Sequence, residues 1–189
     1  MTRLENTNSC TILSTLMIAG AILLSIPSGY SQEKFPNIQS CGLDAWANIK
    51  DTQSLALGTP QDKLLGNNAK VIADLVRSKG VAHTLMMIFA KYGQCSRELN
   101  LDPKAKYTET DHNFIGCSLG SANRYLILMA IEERKSVAET KNKFSENYHP
   151  TIDALYHNAA EQGFANAVNI SASTTLECIA EATRKLRSR

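Results

Sequence analysis

Read for the spacing of its apolar side chains, the chain falls into helix-length stripes separated by short polar or glycine-containing breaks. The clearest stripe lies between His112 and Lys135. Phe114, Ile115, Leu119, Ala122, Leu126, Met129 and Ala130 recur there at intervals of three and four, the period of a helix laid against a core. From Leu126 to Ile131 the stripe is apolar nearly all round, which predicts the most enclosed helix of the fold, with neighbours on several sides.

Other stripes flank it. Residues 41–57 carry Leu43, Trp46, Ala47 and Ile49 as an apolar side, and Gly58-Thr59-Pro60 breaks the chain. Thr59 as N-cap and Pro60 at the first helical position predict a helix running to Lys79-Gly80, weakened in its first half by Gly66-Asn67-Asn68. Val81 to Tyr92 reads as a very apolar helix closed by Gly93. Beyond the central stripe, Ser136-Val137-Ala138-Glu139 is a capping box that starts a short helix. Thr151 caps the next, with Ile152, Leu155, Tyr156, Ala159 and Ala160 on its inner side and Gly163 at its end. Residues 164–170 read as a short helical or turn segment, and Thr174-Thr175-Leu176-Glu177 as a second capping box opening a final helix. No run alternates apolar and polar residues, and β-branched residues are not clustered. The expected fold is therefore all-α, one compact bundle of six or seven short helices.

The amino terminus is of different material. An apolar run between Thr11 and Ile26 follows Arg3 and precedes Pro27-Ser28-Gly29-Tyr30-Ser31, the layout of a secretory signal peptide. The run is shorter than the roughly 20 residues of a spanning helix. Gly29 and Ser31 suit cleavage after Ser31, so the expectation is a signal peptide over residues 1–31 and a single helical domain over 32–189. A retained anchor is the alternative, because Glu5 offsets Arg3.

Export changes how the cysteines are read. Cys10 leaves with the signal peptide; Cys41, Cys95, Cys117 and Cys178 remain, an even set that predicts two disulfides in an oxidising compartment, secreted or periplasmic. No Cys-x-x-Cys occurs, so zinc ribbons, redox motifs and haem attachment have no support. Four cysteines allow three pairings. The preferred one joins Cys95 to Cys117 across a polar loop, and Cys41 to Cys178 across the ends of the fold.

Candidate chemistry is sparse. A formal net charge of +2 on 189 residues is too small to imply nucleic acid as a partner. Asp153, His157 and Glu161 share one helix face, but read best as surface i,i+4 neighbours, so no metal and no cofactor is expected. Glu132-Glu133 and Asp111-His112 lack a third orienting group for acid–base work, and Gly120-Ser121 lacks a nucleophile-elbow pattern. No catalytic residue is assigned. Asn169-Ile170-Ser171 is a glycosylation sequon, meaningful only in a eukaryotic source. The longest polar stretch, residues 100–111, is the expected contact surface. Tyr107 would be its anchor, with Lys104, Lys106, Glu109 and Asp111 around it.

In fold class, size and cysteine count the chain resembles small exported helical proteins with two disulfides, among them bacterial periplasmic immunity proteins that neutralise cell-wall enzymes. The resemblance rests on those properties and on no motif; the close-spaced cysteine pair of insect odorant-binding proteins is absent. It implies a protein-binding module, of the inhibitor or immunity type, with a protein partner and no enzymatic activity. The alternatives are a carrier of a small apolar ligand or lipid, lined by Met86, Met87, Phe89, Leu126 and Met129, and a small secreted hydrolase.

Overall fold

The computed structural model describes residues 38–100 and 109–187. They form seven α-helices: α1 (Ile38–Ala56), α2 (Ala69–Lys79), α3 (Val81–Asn100), α4 (Glu109–Glu132), α5 (Val137–Lys141), α6 (His149–Gln162) and α7 (Phe164–Arg187). Two 3-10 turns, Gln61–Lys63 and Glu146–Tyr148, sit in the connections, and no strand occurs among the described residues. The expected all-α class is thus the observed one.

α4 is the centre. It packs most extensively on α7 and α3, and also on α1 and α6. Its Tyr125, Ile127 and Leu128 are sealed from solvent, each apolar side chain of that size contributing about 1.5–3 kcal/mol on burial. α1 lies against α3 and α7, α2 bridges α1 and α3, and α6 covers α7 with α5 outside it. The four helices α1, α3, α4 and α7 enclose the core, and the shorter ones cover its sides.

Several boundaries follow local rules. At Ser136 the expected capping box is formed: its hydroxyl accepts the Glu139 N–H (3.2 Å), and the Glu139 carboxylate accepts the Ser136 N–H (2.8 Å). Between α2 and α3 the chain turns at Gly80, whose φ of +93° suits glycine. The Glu132 carboxylate at the end of α4 then accepts the N–H groups of Val81 (2.7 Å) and Ala82 (3.1 Å), satisfying the first donors of α3. A Cβ at Gly80 would stand 2.7 Å from that carboxylate.

Other boundaries depart from expectation. Thr59-Pro60 opens only the 3-10 turn, and the helix proper starts at Ala69, because Leu64 is extended and the following backbone is drawn onto α1. Gly93 does not end its helix; α3 continues to Asn100 and carries Cys95 on its last turns. Thr174 does not start a helix. Its hydroxyl donates to the Ile170 carbonyl four residues back (2.9 Å), and α7 runs unbroken through it. Burial of Ala167, Val168, Ser171, Ala172, Thr175 and Ile179 along one face holds α7 together. α6 begins at His149 rather than Thr151, with Pro150 in its first turn.

The disulfides are Cys41–Cys95 (Cα–Cα 6.3 Å) and Cys117–Cys178 (5.5 Å). Neither expected pairing is present. Each bridge instead ties two helices packed side by side, α1 to α3 and α4 to α7, where the Cα separation suits a disulfide. Cys178 is the exposed member of the four. Residues 1–31, where the signal peptide is expected, lie outside the described residues.

Candidate interaction surface

α1 has an inner side and an outer side, and polar side chains decide what flanks the outer one. Cys41, Ala45 and Ile49 enter the core. On one flank, the buried Asp51 carboxylate accepts the backbone N–H of Leu65 (3.3 Å) and of Gly66 (3.1 Å). Burial pushes the Asp51 pKa above its ordinary 3.8, and those two N–H donors work against the shift. Gly66 has no room for a side chain, since a Cβ would run into the same carboxylate. Asn68 Nδ2 donates to Asp44 Oδ1 (3.3 Å) and Asn48 Oδ1 (3.2 Å), and Lys91 Nζ from α3 reaches Asp44 Oδ2 at 3.2 Å. The loop of residues 64–68 is therefore fastened to α1 through two backbone N–H groups and the Asn68 side-chain amide. On the other flank, Gln53 Nε2 donates to Asn169 Oδ1 (2.8 Å) and Ser173 Oγ (2.9 Å) of α7.

A helix advances about 100° per residue, so Asp51 and Gln53 stand about 160° apart around α1. Leu43, Trp46, Lys50, Ser54 and Leu57 all project into the outward arc between them. Leu43 is 44% exposed, Trp46 37%, Leu57 55%, and Leu65 on the fastened loop 96%. Among the described residues these four are the exposed large apolar side chains, and all belong to α1 or to the connection that follows it. Leu65 points outward because its own N–H and that of Gly66 point inward to Asp51. The result is an outward face with Leu43 and Trp46 toward one end, Leu57 at the other and Lys50 and Ser54 between them, flanked by the loop on one side and α7 on the other.

This surface was misread from sequence. Leu43 and Trp46 look like the inner side of α1, yet face out; the cue to the true inner side is the i,i+4 series Cys41, Ala45, Ile49, whose cysteine must face α3 to be bridged. Of the residues expected to bind, Lys104, Lys106 and Tyr107 lie outside the described residues. Glu109 and Asp111 are not loop residues; they fall in the first turn of α4.

Other titratable groups have structural employment. Glu132 caps α3, while Glu133 is paired with Lys135 and lies 3.7 Å from His83 Nε2. The hydrogen bond from Lys135 holds the Glu133 carboxyl below the usual 4.5. Asp153 is paired with Lys141 at 2.7 Å, and His157 and Glu161 are exposed. No group of three or more His, Cys, Asp or Glu among the described residues could hold a metal ion. Met86 lies in the core with Phe89, Leu126 and Met129 packed on it. A void beside the Cys41–Cys95 bridge has about 10 Å³, room for one water. No helix of the described residues is long and apolar enough to cross a membrane.

Compared with models of known protein families, with curated proteins and with solved structures, the chain matches none.

Proposed function

We propose that the chain is an exported protein-binding module, of the inhibitor or immunity type that neutralises a partner enzyme, and that the outer face of α1 with Leu65 belongs to its contact surface. The observation that carries this reading is the gathering of the exposed large apolar side chains on one helix and one fastened loop. Contiguous apolar surface is unfavourable in water and marks contact sites. A loop held by its backbone loses little conformational entropy when its side chain is covered. Two disulfides fit an oxidising compartment, in keeping with the signal peptide expected over residues 1–31.

The packing argues against a carrier. Ligand pockets occupy roughly 300–1,000 Å³, whereas of the side chains expected to line one, Met86 is in the core and Phe89, Leu126 and Met129 are packed against it. The test is a photo-crosslinking residue at position 65, introduced in the producing cell. The expected product is a discrete protein adduct in the exported fraction. Adducts confined to lipid, or a chain retained in the cytosol with free thiols, would refute the reading.

A further inference from the structure

We propose that the peptide bond between Leu65 and Gly66 is a site of limited proteolysis, and that the cut chain stays folded with its new Gly66 amino terminus paired to the Asp51 carboxylate. The protease is one that accepts a large apolar side chain before the scissile bond. Whatever the outer face of α1 binds, the cut needs only the loop of residues 64–68 and what lies beneath it.

A protease cleft takes its substrate as an extended strand, with the side chain before the bond free to enter a pocket. Leu65 is 96% exposed. It follows Leu64, whose φ of −73° and ψ of 148° are those of extended backbone. The other exposed large apolar residues are poorly placed for cutting. Leu43 and Trp46 lie within α1, and the Leu57 N–H still bonds to the Gln53 carbonyl (3.1 Å) at the end of that helix. Lys63 is exposed, but it is wound into the 3-10 turn. Exposed loops of this kind are where proteins are nicked. The Leu65 N–H is held by Asp51 Oδ1 at 3.3 Å, the longer of the two loop contacts, and this is the donor a protease must take over.

Hydrolysis adds one water across the C–N bond, so that Leu65 ends in a carboxylate and Gly66 begins with an ammonium. In the intact chain that nitrogen already lies 3.1 Å from Asp51 Oδ2. Before the cut it is a neutral amide facing a carboxylate whose charged form is disfavoured by burial. After the cut it is a cation in the same place, and an opposite charge at that distance favours the ionised carboxylate. Gly66 brings no side chain to obstruct the pairing, whereas a Cβ there would run into Asp51. The new carboxylate belongs to a residue that stands in solvent, and it is free to swing away. The two pieces cannot part, because the cut falls inside the segment closed by Cys41–Cys95. α2 starts beyond it, at Ala69.

The experiment exposes the full chain, with both disulfides formed, to a low ratio of chymotrypsin under native conditions. The expected product is one water heavier than the parent without reduction. On reduction it separates into pieces ending at Leu65 and beginning at Gly66, and its helical signal is unchanged before that step. The Gly66 amine of the folded product should react with an amine-acylating ester roughly tenfold more slowly than after unfolding in urea, because the buried pair protects it. Leu65→Asp should slow the cut about tenfold or more. Asp51→Asn separates the two roles of the carboxylate. The freer loop should be cut faster, yet the cut variant should melt further below its intact parent than the cut wild type does. A first cut at any other bond within residues 38–100 or 109–187 overturns the proposal. So does a cut product that loses its helical signal, or a Gly66 amine as reactive in the folded product as in the unfolded one. An equal drop in melting temperature on cutting wild type and Asp51→Asn overturns it as well.

Discussion

Two buried hydroxyls on neighbouring helices are treated in opposite ways. Tyr125 donates to Thr175 Oγ1 (2.9 Å), Thr175 donates in turn to Ser121, and Ser121 to the Cys117 carbonyl (3.0 Å). Burial pushes the Tyr125 phenol up to about 12, so it stays a neutral donor at ordinary pH. Ser171 is as deeply buried, yet its hydroxyl has no hydrogen-bond partner among the described residues. Removing the Tyr125 hydroxyl as Tyr125→Phe should cost about 1 kcal/mol in urea unfolding, whereas Ser171→Ala should be neutral or stabilising, because it removes an unmade bond. The sequon at Asn169 looks different in this light. Ser171 is sealed and the Asn169 amide oxygen is held by Gln53, so a glycan would have to part α1 from α7. Acid should act through other residues. Glu133, held down by Lys135, and Glu139, held down by the Ser136 N–H, both have folded pKa values below 4.5. As pH falls, the unfolded chain takes up these protons first, so their stabilisation is present above about pH 4.5 and lost below it. The melting temperature should fall in that range, and fall less in a Glu133→Gln, Glu139→Gln double variant.

Elements are governed by how far their determinants lie apart in sequence. The capping box at Ser136 was legible because its two partners are three residues apart, and the core stripe of α4 because periodicity is a local property. The start of α2 was not. Thr59-Pro60 is a sound start signal, but Asp51, on another helix, captures the Leu65 and Gly66 amides and holds the chain extended. The apparent start at Thr174 failed for a related reason: threonine bonds back to a helix carbonyl as readily as it caps, and only burial of the flanking residues decides between them. Asp51→Asn tests the first case. An amide has one acceptor oxygen, so one of the two N–H groups must lose its partner. Hydrogen exchange at Leu65 and Gly66 should accelerate about tenfold, the equivalent of about 1.4 kcal/mol, with little change in the core amides.

At the scale of the molecule, cysteine parity announced two bridges, but only packing could say which helices lie side by side. The bridges close segments of 54 and 61 residues, and chain-entropy arguments make each worth about 4 kcal/mol. Replacing Cys41 and Cys95 together by serine should lower the unfolding free energy by about that amount in urea titration, an amount large against typical domain stabilities of 5–15 kcal/mol. The candidate contact surface was the least legible feature. Its apolar residues share the composition of a core stripe, and their outward direction depends on Asp51 and Gln53 reaching partners far along the chain.

The order of the bridges has its own consequence. Among the described residues the first cysteine joins the second, and the third joins the fourth, so neither link encloses or crosses the other. A chain entering an oxidant N-terminus first would therefore present the mate of Cys41, and later that of Cys117, as the next of these thiols to emerge. Joining in order of emergence yields the native connectivity without a reshuffling step.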